Sequence, residues 1–561
     1  MEFNRNVDSI NDVLALVKGE VKLLDEKEGE MNVELKDTNR PDMWSVEGLA
    51  RTLRGFLEVE EGIKKYAVDK PIVDVHVDAK LETIRPYVGC AVVKNVKLTD
   101  AVIRGLMQLQ EKLDQSYGRN RQRTSIGLYD FDLITPPLRY TVAKPADVSF
   151  VPLGFEEKLS LKQILRKHPK GLEYGRIVSK HPVYPILLDA DGKVLSFPPI
   201  INSNDLGRIT EQTKNVLIEV TGTVHETVLI TLMIVALSFI DRGGKAYSSR
   251  VHYPENKQDI VPDFNSGTVD LSVEYVNRVS GLQLTRKQVE MLLKKARFGV
   301  DDTDHDHINV RVPCYRIDVM HPVDLVEDIT IAYGYNNIRP LWRRLPTTGS
   351  LAPEQDLLNV ARELMVGLGF QEILTYTLTN KENLFERMSC RQQKTLDIAN
   401  PKAQTMTCLR NWLLPSLVEF LSNNLSVEYP QRIFELGKVT LPDAKKETRT
   451  RDEDRLASAT AHAAAGFSEV KSTVNAFFAN FGLDWRIEKT KHPTFIDGRA
   501  GAAIIENTSV GILGEVHPRV LNAWKIENPV AAFELNMSKI LRIKRVKGSV
   551  PAASSLKTVS K

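Results

Sequence analysis

Apolar residues recur along this chain with two spacings. In SVEGLARTLRGFL, residues 45 to 57, they return every three to four positions. That period places Val46, Leu49, Leu53 and Phe56 on one side of a predicted helix that Ser45 can cap. AVIRGLMQLQEKLDQSYG, from 101, has the same amphipathic period, and EQDLLNVARELMVGLGF, from 354, predicts a further helix. LSVEYVNRVSGLQLTRKQVEMLLKKARFGV, from 271 to 300, holds two helical periods separated by a glycine turn. PIVDVHVD, YVGCAVVKNVKL and INVRVPCY predict strands, and EILTYTLT, RIFELGKVTL, SVGILGEV and VAAFELNM look like antiparallel ones. VLITLMIVALSFI, 228 to 240, is apolar throughout but shorter than the roughly 20 residues that span a bilayer. Flanked by His225, Glu226 and Asp241, it predicts a buried core helix and no membrane association. The expectation is an α+β multidomain chain.

Composition narrows the class. At 561 residues the length suggests about four domains, and 42% hydrophobic with 26% charged residues is ordinary for a folded soluble protein. Lys and Arg number 75 against 72 Asp and Glu, so the net charge of +3 does not by itself advertise a nucleic-acid binder. Cys90, Cys314, Cys390 and Cys408 are singletons, which argues against zinc and disulfides and for a reducing, cytoplasmic location. The first twenty residues lack a continuous apolar run, so no secretory signal is expected. The polar end, KRVKGSVPAASSLKTVSK, predicts a flexible tail over 546–561.

Several clusters carry candidate chemistry. In YRIDVMHPVDLVEDITIAYGY, 315 to 335, a helix from about Asp324 puts Asp324, Glu327 and Asp328 on one face, with Asp318 in reach from the preceding strand. Such an oxygen cluster suits Mg²⁺, yet Asp324-x-x-Glu327 also fits a capping box whose acids favour the helix dipole. GRNRQR offers Arg119, Arg121 and Arg123 either to RNA phosphates or to a solvated turn. Arg286, Lys287, Lys294, Lys295 and Arg297 read as a solvated basic face, as do the tail cations Arg542, Lys544, Arg545 and Lys547. DDTDHDH, 301 to 307, predicts a charged hairpin tip.

Five stretches in order extend the picture. NRPDMWSVEGLAR at 39 to 51, GRNRQRTSIGLYDFD at 118 to 132, HPKGLEYG with SFPPIINSND between 168 and 205, YRIDVMHPVDLVEDITIAYGYNNI at 315 to 338, and LRNWLLPSLVEFLSNN with RIFELGKV between 409 and 439 together resemble the β subunit family of phenylalanyl-tRNA synthetases, in its archaeal and eukaryotic form. The resemblance implies an N-terminal α/β (B1-like) domain at 1–85 and an editing (B3/B4-like) domain at 86–265. A winged-helix-like, magnesium-binding B5-type module at 266–340 and a degenerate class II synthetase-like antiparallel sheet domain at 345–545 would follow. It also implies an (αβ)₂ heterotetramer whose α subunit binds ATP and joins phenylalanine to tRNA(Phe). This chain would bind tRNA, scaffold the complex and hydrolyse mischarged tyrosyl-tRNA; the alternative is a nonenzymatic tRNA-binding or assembly subunit whose editing site has decayed.

Residue by residue, the family's Mg²⁺ site falls on Asp318, Asp324, Glu327 and Asp328, with Asp328 where Glu is more usual. The editing pocket falls on Leu187, Ser196, Asn202, Glu219 and Thr221, with Glu219 the expected phenol acceptor where Asp is more familiar. An apolar pocket rejects an added hydroxyl poorly, so a phenylalanine enzyme benefits from such a second, hydrolytic site. No nucleophile and base pair is legible nearby, which points to attack by a positioned water. In the last domain GILGEVHPRV carries Gly511, Gly514 and Arg519 at spacings unlike the synthetic motif, with Glu515 where phosphate would be repelled.

Overall fold

The computed structural model describes residues 7–25, 30–37, 39–301, 306–342 and 349–546. The chain forms two compact units, 1–342 and 343–561. The tail predicted at 546–561 lies outside the described residues apart from the backbone of Val546.

The first unit is built on a ten-stranded mixed sheet. Next to one edge lies the strand Val216–Gly222, all seven residues buried, between the antiparallel strands Tyr87–Lys94 and Thr124–Asp130. The apolar run 228–240 forms the helix His225–Ile240 packed on these strands, as a helix without a polar face must. At the far edge run Leu138–Ala143, Tyr184–Leu188, Val194–Phe197 and Ile201–Asn202. The strand Val68–Val77 pairs in parallel with Lys245–His252 and with Leu138–Ala143, so it belongs to this sheet rather than to an N-terminal domain ending at 85.

Among the described residues, those before it form no core of their own. Leu14, Val17, Met43 and Phe56 share one cluster with Leu271, Val276, Val289, Leu293, Leu325 and Ile329. That second module has helices Val273–Ser280, Arg286–Lys295 and Pro322–Tyr333 beside an antiparallel sheet of Gly267–Ser272, His307–Val312 and Gly299–Asp301. Gly281, at φ +73°, makes the expected turn after the first helix, and a Thr285 capping box starts the second. The DDTDHDH stretch joins two paired strands, although residues 302–305 lie outside the described ones.

The second unit holds a seven-stranded sheet in the order Gln371–Glu372, Gln431–Pro442, Thr450–Ala461, Val530–Asn536, Thr508–Val516, Phe495–Ile505, Arg486–Lys489. All its pairings are antiparallel except the first. Helices Pro353–Gly367 and Phe467–Phe481 cover it through Phe434, Phe477, Phe478 and Phe533. EILTYTLT is not one strand: it pairs only at 371–372 and 378–379, leaving Leu374 and Tyr376 exposed. Among the described residues no helix is long and apolar enough to cross a membrane.

Candidate functional site

Residue Glu219 sits in the middle of the strand Val216–Gly222, with Cys90 and Gly127 as its Cα partners on either side. Strands alternate their faces, so this carboxylate lies on the same face as its neighbours in register. A β-carbon on Gly127 would lie 2.3 Å from Tyr129 Oη and 2.5 Å from Glu219 Oε2. The missing side chain is what lets phenol and carboxylate meet. Tyr129 Oη donates to Glu219 Oε2 at 2.7 Å and lies 3.3 Å from Asn202 Oδ1. Glu219 Oε1 is buried without a hydrogen bond, and so is Ser196 Oγ, on the strand paired with Asn202.

These groups close one end of a cleft of about 880 Å³ whose walls include Ile126, Leu128, Phe197, Ile200 and Ile209. Asp100, Glu111, Lys170, Arg208 and Glu211 line it as well, so the cleft joins an apolar wall to a charged one, and such concave sites with converging polar groups suit a small molecule. Of the five expected pocket residues, Ser196, Asn202 and Glu219 line the cleft. Leu187, in register beside Ser196, is sealed in the sheet's core. Thr221 is fully buried behind it, its hydroxyl accepting from Arg85 Nε at 3.0 Å.

Arg85 is the group that sequence reasoning missed. Fully buried, it also donates to the carbonyl of Thr221 at 2.6 Å, to Ser125 Oγ at 3.0 Å and to the carbonyl of Arg121 at 3.0 Å. Burial lowers its proton affinity, while Tyr140, Glu219 and Asp114 support its charge. Burial pushes the Glu219 carboxyl up to about 7, against the pull of the Tyr129 hydroxyl, Arg85 and Thr221. Burial and the Glu219 charge push the Tyr129 phenol well above its ordinary range, so it remains a donor. A shifted carboxyl in a cleft is a functional-site signature.

The arginine cluster divides. Arg121 pairs with buried Asp114 at 2.9 Å, donates to the carbonyls of Pro199 and Ile200 at 3.1 and 3.0 Å, and lies over the Tyr174 ring at 4.5 Å. It fastens the Pro-Pro loop that walls the cleft and is not presented to a phosphate. Arg119 is exposed and Arg123 half-buried. Arg119, Asn120 and Arg121 follow one another at φ +50°, +52° and +63°, a left-handed run that costs about 1 kcal/mol or more per residue and that the Asp114 pair holds in place. His168 is structural: Nδ1 accepts from Lys170 N at 3.2 Å as the cap of the helix Pro169–Tyr174.

The four expected magnesium ligands do not converge. Asp318 is held by Arg316 through contacts of 2.9 and 2.7 Å, and the same guanidinium reaches Asp328 at 2.5 Å. Arg40, from the NRPD stretch, joins Asp42 at 2.8 Å and stands 3.7 Å from Asp318. Burial works to raise the Asp318 carboxyl, but Arg316 and Arg40 outweigh it and hold it below the usual range. Asp324 accepts from His321 N at 2.7 Å as the third residue of a capping box, and Glu327 pairs with Lys18 at 2.6 Å. The helix starts at Pro322, two residues before the expected Asp324, which turns that side chain to the helix end. Among the described residues no group of three or more His, Cys, Asp or Glu is placed to hold a metal ion. An arginine supplies the positive charge that magnesium was expected to supply, so as placed these residues do not fit a four-carboxylate cage. Arg297, expected on a solvated face, is likewise buried, its Nη2 3.3 Å from Glu60.

In the second unit Glu435 and Glu534 both face Ala457 across neighbouring strands and so share one face of the sheet. Arg410 pairs with Glu435 at 2.8 Å, and Glu534 Oε2 accepts from Leu413 N and Leu414 N at 2.9 and 3.0 Å. Glu515 accepts from Phe467 N at 2.8 Å and pairs with Arg499, fixing a helix start.

Comparison with known proteins agrees with this architecture. A family model described as "Phenylalanyl tRNA synthetase beta chain CLM domain" matches residues 341–537, and one described as "tRNA synthetase B5 domain" matches 269–335. The phenylalanine-tRNA ligase beta subunit of Pyrococcus furiosus is 42% identical over 539 residues, 96% of this chain and 97% of the relative. That of Archaeoglobus fulgidus is 38% identical over 503 residues, 89% and 90% of the two chains. A crystal structure of an N-terminal fragment of the phenylalanyl-tRNA synthetase beta subunit from Pyrococcus horikoshii, 39% identical, superposes with a TM-score of 0.57 and covers 59% of this chain and 95% of the fragment. Fold and matches together define a subunit of an aminoacyl-tRNA synthetase. More narrowly, the chain belongs to the phenylalanine-tRNA ligase beta subunit family.

Proposed function

We propose that this chain works in a cytoplasmic complex with a phenylalanine-tRNA ligase α subunit, which binds ATP and charges tRNA(Phe), and that its own cleft removes tyrosine attached in error. The observation that carries the reading is that Ser196, Asn202 and Glu219 meet at one part of the cleft, beside the apolar side chains of Ile126, Leu128, Phe197 and Ile200. A phenol reaching that part finds acceptors; a phenyl ring leaves buried polar atoms unpaired, and the penalty for that is what discriminates. Water attacks the ester carbonyl, its oxygen bonds to that carbon, and the bond to the terminal ribose oxygen breaks. The ribose oxygen leaves with a proton from the water, releasing tyrosine and intact tRNA. Binding geometry and oriented dipoles supply the rate.

Two further features support the division of labour. Buried Glu435 is tied to Arg410 and Glu534 to the backbone of Leu413 and Leu414, so this part of the second unit's sheet is filled by the chain's own groups rather than open to a triphosphate. The name of the matched B5 domain points to tRNA synthetases, and we assign that module and exposed Arg119 to the tRNA side of the complex, with (αβ)₂ as the assembly.

The test is deacylation of tyrosyl-tRNA(Phe) by the complex purified with its α subunit. Hydrolysis by wild type, lost more than tenfold in Asn202→Ala and Glu219→Ala, is the expected result. A wild-type complex that leaves the ester intact makes this chain a nonenzymatic tRNA-binding and assembly subunit instead.

A further inference from the structure

Tyr129 joins the two cleft residues Glu219 and Asn202, and its single hydroxyl proton cannot serve both. The Glu219 contact is 2.7 Å and assisted by charge, the Asn202 contact 3.3 Å. The ionised carboxylate therefore takes the proton, because a charged acceptor at the shorter distance is roughly twice as favourable as a neutral one. Tyr129 Oη is then left with lone pairs only toward Asn202. Two acceptors cannot face each other at hydrogen-bond distance, and the two ends of an amide occupy the same volume. Asn202 consequently turns its Nδ2 to Tyr129 and its Oδ1 into the cleft.

We propose that Tyr129 is a positioning residue for selectivity: by giving its proton to Glu219 it fixes the Asn202 amide with the carbonyl toward the substrate, making an acceptor for a tyrosyl phenol. The proposal rests on the hydrolytic reading of the cleft. Glu219 then acts through Tyr129, and Asn202 makes the contact. Gly127 is part of the device, since any side chain there would stand between the phenol and the carboxylate.

The arrangement has a second state. When Glu219 is protonated it no longer claims the Tyr129 proton; Tyr129 can donate to Asn202 Oδ1, and the amide nitrogen turns to the cleft. A donor there meets a phenol poorly. The groups that face this carboxyl are Tyr129 on the neighbouring strand, Thr221 on its own strand, Arg85, Asp114 on the helix Asp100–Gln115, Tyr140, and Cys90 on the other side. Asp114 is itself pushed up to about 7 by burial, against Arg121 and Arg85. Selectivity for the phenol therefore falls as the pH drops through the neutral range.

The experiment compares kcat/KM for tyrosyl-tRNA(Phe) and phenylalanyl-tRNA(Phe) in the complex with the α subunit, from pH 6 to 8.5. In Tyr129→Phe the ratio of the two falls at least tenfold, the loss resting on the tyrosyl substrate, and its pH dependence disappears. Glu219→Gln keeps the cleft's volume but lets the Tyr129 proton point either way; its ratio is intermediate and flat with pH. A merely structural role for Tyr129 predicts equal losses on both substrates, and that result, or an unchanged ratio in active Tyr129→Phe, overturns the proposal alone. A wild type inert on both esters overturns the hydrolytic reading and this role with it.

Discussion

Residue Glu219 is buried at a cost. Its proton is held at about 7 in the folded chain against 4.5 for an exposed glutamate, so its contribution favours folding fully below pH 4.5 and is lost as the pH rises through 7. Glu219→Gln, neutral and of the same shape, is expected to raise the thermal unfolding midpoint at pH 8, by an effect of up to about 3 kcal/mol, and to leave it unchanged near pH 4. Unfolding scans of the full chain at both values check this; a difference that persists at acid pH rules out titration as its source. Other individual residues resisted reading for a related reason. Arg51, Arg85, Arg121, Arg297 and Arg316 look like surface cations in a sequence, yet each is buried or largely so, and the partners of Arg51, Arg85 and Arg297 are remote in the chain, as with Arg51 and Asp241 at 2.7 Å.

The helix Val46–Phe56 shows how a correctly placed element can turn its unexpected side inward. Ser45 caps it as expected, its Oγ accepting from Gly48 N at 3.1 Å. Leu49 and Leu53 do pack on the module's core, but Val46 is 69% exposed, and the most buried positions are Gly48, Arg51, Thr52, Gly55 and Phe56. Two glycines explain it: a β-carbon on Gly48 would lie 1.6 Å from the Asp42 carbonyl oxygen, and one on Gly55 2.4 Å from that of Lys295. The chain passes so closely there that only hydrogen fits. Gly48→Ala is accordingly expected to cost about 3 kcal/mol. Gly105, inside the helix Asp100–Gln115 with nothing within 4 Å of its β-carbon position, is expected to gain about 1 kcal/mol on change to Ala. Chemical denaturation of both variants measures the contrast; similar losses at both sites would remove the close-approach explanation. Strands in which charge interrupts the alternation were the elements missed, Thr450–Ala461 with its opening TRDEDR being the clearest. Its charges are paired across the sheet, as Lys438 is with Asp454 at 2.9 Å, so they stay compatible with a strand.

In the molecule as a whole, the cores do not follow the expected divisions. The N-terminal segment completes the core of the 266–340 module across more than two hundred residues, because its own few apolar side chains cannot bury enough surface alone. The NRPD stretch is explained by the same joint: Arg40 and Asp42 enter the buried ion network of Arg316, Asp318 and Asp328. The second unit carries a largely antiparallel sheet, and on the proposed reading the charging chemistry belongs to the α subunit. The purified chain alone is therefore expected to give no phenylalanine-dependent exchange of pyrophosphate into ATP, with exchange appearing when the α subunit is added. Activity in the isolated chain would refute that division.

Periodicity was enough to mark the helices, the buried apolar helix and most long strands, since each depends on neighbours within a few residues. Motif order was enough to mark the family, and residue-by-residue matching to it nominated Ser196, Asn202 and Glu219. Long-range pairing decided the rest. That Arg316 stands between Asp318 and Asp328, that Leu187 and Thr221 lie behind the cleft, and that Tyr129 joins Glu219 to Asn202 all depend on strand register and on the room a glycine leaves across the sheet. A linear pattern states which residues are adjacent along one strand; which atom of a buried charge finds which partner is fixed only when the strands are packed side by side.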